Sequence, residues 1–266
     1  MKTSMEGKVA LVTGCGSAGP GWGNGKAISA LFAREGAKVF GCDIRYEAAM
    51  ETQYIVTSEG GDMVVSACDV ANPDQVENLV QDCIAQYGRI DLLVNNVGIV
   101  NLGGVVECSL EEWERAWSIN VTSMFLTCKY VVPHMQSQGG GSIVHIGSVA
   151  GIRDSGVPYV SYSTTKAATL GLSRSVAMQY AKDKIRSNVV LPGLMDTPMI
   201  VKPLHVGYHA DTVEAMRDKR NAQCPMGTMG NAWDVANATL WLASESSAYV
   251  TGAEIVVDGG ITAKFA

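Results

Sequence analysis

The chain has 266 residues, 47% of them hydrophobic, and a formal net charge of −6. Its twenty Lys and Arg are scattered, which excludes the basic patch that nucleic acid or an anionic membrane surface would require. The length suits one α/β domain with a substantial core, and small ligands are the partners to expect.

In chain order, short β-branched runs alternate with longer amphipathic stretches. "KVALVT" precedes a helix over 25–35, "AKVFGCD" a helix over 46–59, and "DMVVSACDV" a helix over 73–87. "IDLLVNN" is followed by helices across 110–138, "GSIVHIGS" by a helix over 160–181, and "IRSNVVL" by a weaker helical region at 199–221. A helix near 231–244 and the run "AEIVVDGG" complete the series. Seven continuously apolar strands separated by helices predict a Rossmann-type doubly wound parallel sheet with helices on both faces. Ligands then gather at the carboxyl ends of the strands, where strand order reverses. No linker or repeat divides the chain, so a single domain spanning 1–266 is expected. The irregular excursion at 195–227 reads as a substrate-binding lid within it.

The seven cysteines are odd in number, widely spaced and mostly set in apolar runs, so they are expected to be reduced and buried. Neither they nor the four histidines show metal-ligand spacing, and no metal is expected. The first residues contain no long apolar stretch, and no run is long enough to span a bilayer, so the expected location is the cytoplasm.

"TGCGSAGPGWGNG" at 13–25 holds six glycines between a predicted strand and a predicted helix. Glycines there let the backbone approach a pyrophosphate, whose charge then rests on the helix N-terminus. Asp43, eighteen residues past Gly25 at the end of the second strand, can accept hydrogen bonds from both hydroxyls of an adenosine ribose and would repel a 2′-phosphate. The pair favours NAD over NADP. Arg45, two residues on, is read as an exposed charge, or as a residue that flanks a 2′-phosphate if it curls back.

These residues resemble the short-chain dehydrogenases/reductases of the classical length class. The likeness runs from Val9 to Gly260 through "CDV" (68–70), "NNVG" (95–98), "SIN" (118–120), "IGS" (146–148), "YSTTK" (162–166), "PGLMDT" (192–197) and "VDGG" (257–260). The family loop, usually TGxxSGxG, is matched if Ser17 is followed by Gly23, Asn24 and Gly25. Ala18 to Trp22 are then five additional residues expected to bulge outward at little entropic cost. Trp22 would shield the pyrophosphate, touch substrate, or sit in the loop without a role.

The resemblance implies that Gly14, Ser17, Gly23, Asn24 and Gly25 hold the pyrophosphate, with Asp43 and Ile44 at the ribose. Asp69 and Val70 would hold the adenine, Asn95, Asn96 and Gly98 the ribose side of the cleft, and Pro192, Gly193, Met195 and Thr197 the nicotinamide amide. Tyr162 and Lys166, four apart on one helix face, would be the acid/base and its partner. A fixed ammonium beside the phenol favours phenolate and draws its pKa toward neutrality. Ser148 would stabilise charge on the substrate oxygen, and Asn120 would position a water linking Lys166 to solvent.

Substrate contacts are sought at Arg153, Val157, Tyr159, Met195, His205, Tyr208 and His209. Three readings follow: an NAD-dependent dehydrogenase of secondary alcohols, a 3-oxoacyl thioester reductase, or a non-catalytic dinucleotide-binding sensor or scaffold. The resemblance also implies a homotetramer, packed through the helices at 118–138 and 160–181 and the last strand.

Overall fold

The computed structural model describes residues 4–154, 156–200 and 211–264. Each apolar run forms a strand and each amphipathic stretch a helix. The order is β1 (Val9–Thr13), α1 (Asn24–Arg34), β2 (Lys38–Asp43), α2 (Tyr46–Ser58), β3 (Asp62–Ala67), α3 (Pro73–Tyr87), β4 (Leu92–Asn95), α4 (Leu110–Trp117), α5 (Ser123–Ser137), β5 (Gly141–Ile146) and α6 (Val160–Tyr180). After these come β6 (Ile185–Pro192), β7 (Met195–Asp196), α7 (Val213–Gln223), β8 (Gly230–Asn231), α8 (Ala232–Ala243) and β9 (Glu254–Val257).

Seven strands form one parallel sheet in the order β3-β2-β1-β4-β5-β6-β9. The chain winds outward from β1 to β3, then crosses back to place β4 on the other side of β1. Strand order therefore reverses between β1 and β4, and a crevice opens there at the carboxyl ends. One face of the sheet packs Ile28 and Phe32 of α1 with Val235 and Leu242 of α8, and the other packs Val76 and Leu79 of α3 with Val131 and Met135 of α5. Both faces are covered, which is why the strands are apolar throughout instead of alternating.

Local chemistry fixes the helix boundaries. Asn72 caps α3 by accepting from the Asp74 and Gln75 amides, Pro73 occupies the first turn, and Gly88 closes the helix at φ 79°. Ser109 with Glu112, and Asn231 with Asp234, form reciprocal capping boxes at α4 and α8.

Two features depart from the expected pattern. The helical stretch at 110–138 is broken by a π-helical turn at Ser118–Thr122, which offsets the backbone around Asn120. The excursion is bracketed by a short parallel pair, Met195 with Gly230 and Asp196 with Asn231, so its entry and exit are tied together. Its helical part in the described residues is a turn at Pro198–Ile200 and then α7. The expected substrate residues His205, Tyr208 and His209 lie outside the described residues. All seven cysteines are free thiols and six are buried, Cys108 being partly exposed. Among the described residues no helix is long and apolar enough to cross a membrane, and no group of side chains could hold a metal ion.

Candidate active site

A cleft of about 370 Å³ runs along the carboxyl ends of the strands, from Asp43 and Asp69 at one end to Ser148, Tyr162 and Arg220 at the other. Of the residues expected to hold the dinucleotide, all but Asn95 line it: Gly14, Ser17, Gly23, Asn24, Gly25, Asp43, Ile44, Asp69, Val70, Asn96, Gly98, Tyr162, Lys166, Pro192, Gly193, Met195 and Thr197.

The glycine loop is fixed by close approach. A Cβ on Gly25 would overlap the Gly14 carbonyl oxygen, and Gly14 itself sits at φ 65°. Asn96 braces the turn by donating from Nδ2 to the carbonyls of Thr13 and Gly14 at 3.2 and 3.0 Å. Gly23 precedes α1 without any side-chain cap, so the first amides of the helix remain available to an anion. Asn24 Oδ1 is buried without a hydrogen-bond partner among the described residues, an acceptor waiting for a donor. Bare amides, crowded glycines and this orphaned acceptor fit a dinucleotide.

At the far end of the loop the Asp43 carboxylate, which lines the cleft, accepts from the Gly16 amide at 3.1 Å and the Arg45 amide at 3.0 Å. Gly16 was not among the expected contacts. A Cβ there would come within 2.7 Å of the Ala48 Cβ and 2.8 Å of Asp43 Oδ2. The surplus glycines around it hid the signal, because a loop with six of them does not announce which one is crowded. Arg45 is exposed, as the first reading has it, and its guanidinium also turns back to donate to the Ser17 carbonyl at the edge of the cleft.

The additional loop residues do not simply bulge outward. Ala18 lines the cleft, and a Cβ at Gly19 or Gly21 would stand 3.5 or 3.6 Å from the Pro198 ring, so this stretch abuts the start of the excursion. Trp22 points the other way. Its ring packs on Trp233 of α8 with centroids 4.7 Å apart, and the Lys26 ammonium lies 5.2 Å from its centroid. It anchors the loop to the body of the domain and does not line the cleft.

Tyr162 and Lys166 share the inner face of α6. The Lys166 ammonium donates to the Ile146 carbonyl at 2.8 Å, lies 5.6 Å from the Tyr162 ring centroid, and would stand 3.2 Å from a Cβ at Gly98. Ser148, just past the end of β5, stands close enough to the Tyr162 phenol to favour its ionised form, and accepts from the Ala150 amide at 3.2 Å. The Tyr159 ring stands edge-on to that of Tyr162, with centroids 5.4 Å apart.

Asn120 is fully buried behind this group. Its amide exchanges hydrogen bonds with both backbone groups of Ile99 and donates to Thr165 Oγ1 at 3.0 Å, locking the π-turn to the cleft loop and to α6. Asn95 also turns inward, to Thr127 and His145, and Asn96 takes the position facing the cleft.

The titration of the pair differs from the expectation of an acidified phenol. Burial pushes Tyr162 up from 10.0 to about 12, opposed by the nearby Ser148 hydroxyl and the Arg220 charge. Burial also lowers Lys166 from 10.5 to about 8. Both shifts favour the neutral form, since desolvation penalises whichever state is charged. Burial therefore opposes the charge on both groups, and the phenol is raised where the helix spacing had suggested it would be lowered. Beneath Lys166, His145 is held neutral, its pKa lowered to about 4 by burial and then by the Lys166 charge.

Of the expected substrate contacts, Tyr159 and Met195 line the cleft. Arg153 is exposed and donates to the Ile152 carbonyl, and Val157 is buried; neither lines the cleft. Arg115, Ile119 and Arg220 line it without having been expected, since they come from α4, the π-turn and α7 and share no local motif.

A sheet that reverses at β1, a glycine loop at that point and a Ser-Tyr-Lys group across the cleft define a dinucleotide-dependent oxidoreductase fold, and comparison with known proteins agrees. Residues 19–262 match the family model described as enoyl-(acyl carrier protein) reductase. A protein from Burkholderia xenovorans assigned to the short-chain dehydrogenases/reductases superposes with a TM-score of 0.94 at 45% identity, covering 98% of this chain and 99% of that one. The 2-(R)-hydroxypropyl-CoM dehydrogenase of Xanthobacter autotrophicus is 38% identical over 96% of this chain and 99% of its own length. The 3-oxoacyl-[acyl-carrier-protein] reductase FabG of Thermotoga maritima is 37% identical over 97% and 98%. The chain belongs to the short-chain dehydrogenase/reductase family. It is an oxidoreductase acting on CH–OH donors, in a family whose members use nicotinamide dinucleotides.

Proposed function

We propose that this chain is an NAD-dependent dehydrogenase that interconverts a secondary alcohol and its ketone. The observation that carries the reaction is the convergence of Ser148, Tyr162 and Lys166 at the end of a cleft whose other end fits adenosine. The preference for NAD rests on Asp43, whose carboxylate is pinned by two amides at the ribose position and would repel a 2′-phosphate. Asp69 and Val70 receive the adenine, and Pro192, Gly193, Met195 and Thr197 the carboxamide of the nicotinamide.

Bound NAD supplies the acceptor for the hydride that leaves the alcohol carbon. Tyr162 takes the hydroxyl proton, and Ser148 holds the same oxygen and stabilises the charge that develops on it. Lys166, steadied by the Ile146 carbonyl, orients the ribose hydroxyls and passes protons toward Tyr162. Asn120, locked to Ile99 and Thr165, fixes the π-turn whose displaced backbone can hold a water behind Lys166. In reduction the same groups act in reverse.

A 3-oxoacyl thioester reductase is the second reading, favoured by the FabG relative and opposed by Asp43, because those enzymes usually take NADPH. A non-catalytic sensor or scaffold is opposed by the intact catalytic group. The assembly we propose is a homotetramer, supported by exposed Phe125 on α5, Met178 on α6 and Val256 on β9, which lie on the elements the family uses. The location we propose is the cytoplasm.

The test is purified enzyme screened against polyols, hydroxy acids, cyclic alcohols and steroids with NAD and with NADP, followed by the reduced-nicotinamide absorbance. Turnover with NAD that is lost in Tyr162→Phe supports the reading. Turnover only with NADP and a 3-oxoacyl thioester overturns it in favour of the second.

A further inference from the structure

The glycine loop exceeds the family spacing by Ala18 to Trp22, and no step of the reaction uses these five residues. They are nevertheless held at both ends. At one end the Trp22 ring packs on Trp233 in the first turn of α8, while the Lys26 ammonium beside Trp22 pairs with Glu51. At the other the Ser17 hydroxyl donates to the Gly19 carbonyl at 2.8 Å, and Gly19 and Gly21 come against Pro198.

Both anchors belong to one substructure. Pro198 lies two residues after β7 and Trp233 two residues after β8, and these two strands pair in parallel, Met195 with Gly230 and Asp196 with Asn231. Met195 is also part of the apolar cluster on which Trp22 and Trp233 pack. The additional residues therefore close a ring from the glycine loop to the ribbon at the base of the excursion.

This ring joins two walls of the cleft. Ala18 lines the cleft on the glycine-loop side, and Thr197 and Met199, the neighbours of Pro198, line it on the other. Pro20 and Gly21 are exposed, so the join lies on the solvent side. It is a loose join. A Cβ on Gly19 would stand 3.5 Å from Pro198 Cβ, and one on Gly21 3.6 Å from Pro198 Cγ, which are ordinary contact distances, so the glycines leave room for about one methyl group. Gly21 sits at φ 110°, where a residue with a side chain is strained, whereas Gly19 has no such constraint. Apolar atoms without a hydrogen bond between them can part and meet again at small cost.

We propose that Ala18 to Trp22 form a strap over the dinucleotide cleft, hinged on Trp233 and closing on Pro198, that gates exchange of the cofactor. The proposal rests on the reading of this cleft as an NAD site. A dinucleotide seated on the α1 amides enters and leaves by the same path. A gate on that path therefore changes both rates by the same factor and leaves affinity nearly unchanged, whereas a mere binding contact would alter release and affinity together.

Stopped-flow mixing and displacement of NADH, followed by nicotinamide fluorescence, give the two rates. Deleting Ala18 to Trp22, so that Ser17 joins Gly23, is expected to raise association and release about tenfold each, with Kd within about threefold of wild type. Pro198→Gly, which removes the ring and keeps the strap, should raise both rates about threefold. Gly19→Ala should act in the opposite direction, slowing both about threefold, because its methyl completes the contact with Pro198. Circular dichroism and thermal melting check that each variant is folded; if the deletion does not fold, Pro198→Gly and Gly19→Ala decide. Rates unchanged in the folded point variants, or release that rises without association, overturns the gate. The cofactor reading fails in a different way. Wild-type enzyme that binds neither NADH nor NADPH overturns both readings, while binding of NADPH alone overturns only the preference for NAD, and the same variants then decide the gate with NADPH.

Discussion

The adenosine end and the catalytic end of this cleft are built from different materials. The first is backbone and carboxylate: helix amides, crowded glycines and an aspartate held by two further amides. The second is buried side chains, where a phenol, an amine and a guanidinium are taken largely out of water. Backbone positions a ligand without titrating. Buried side chains do titrate, and their protonation depends on what lies beside them. Recognition is thereby kept apart from chemistry, and variants at the two ends should fail in different ways.

The largest effect is expected at the catalytic end. Tyr162→Phe should lower kcat by about a thousandfold while NADH affinity, read by fluorescence, moves little. A variant retaining more than about a tenth of turnover would break the division. At the opposite end, Gly16→Val forces a branched side chain into space held by Ala48 and Asp43. It should weaken NAD binding by about a hundredfold, the worth of roughly two charge-assisted hydrogen bonds, with kcat at saturation much less affected. Asp43→Ala should be milder, lowering the preference for NAD over NADP by about thirtyfold in kcat/KM ratios. An unchanged ratio would move the selectivity to Arg45.

The titration sharpens the comparison further. With Tyr162 raised to about 12 and Lys166 lowered to about 8, phenolate absorbance lost in Tyr162→Phe should emerge only near pH 12 in the protein alone. Adding NAD should move that onset downward, since a cationic nicotinamide nearby favours the phenolate. A Tyr162 phenolate signal near neutral pH without NAD would restore the acidified phenol read from the helix spacing. The smallest effect is reserved for the loop anchor: Trp22→Ala should cost about 1–2 kcal/mol in denaturant unfolding, from its ring contacts with Trp233 and Lys26.

Much of this was legible before any coordinates. Pro73 to Tyr87 reads as a helix because an asparagine cap, a first-turn proline and a closing glycine all lie within the segment and its flanks. Tyr162 and Lys166 were legible for the same reason, since four residues on a helix is a local distance. The role of Trp22 was not legible, because its partner Trp233 is more than two hundred residues away. Nor was the break at Ser118–Thr122, where hydrogen bonds from Asn120 to Ile99 and Thr165 impose a turn that local propensity does not encode.

By itself the sequence determined the alternation of strands and helices, the glycine loop after β1, the place of Asp43 at the end of β2 and the motifs that carry Ser148, Tyr162 and Lys166. Each is written in periodicity or in short motifs set by neighbours along the chain. The tertiary structure decided that Gly16 is crowded, that Arg115 and Arg220 meet at one cavity, and that burial raises the phenol and lowers the amine. Packing density, convergence of distant elements and desolvation are properties of the assembled interior, and no stretch of chain carries them alone.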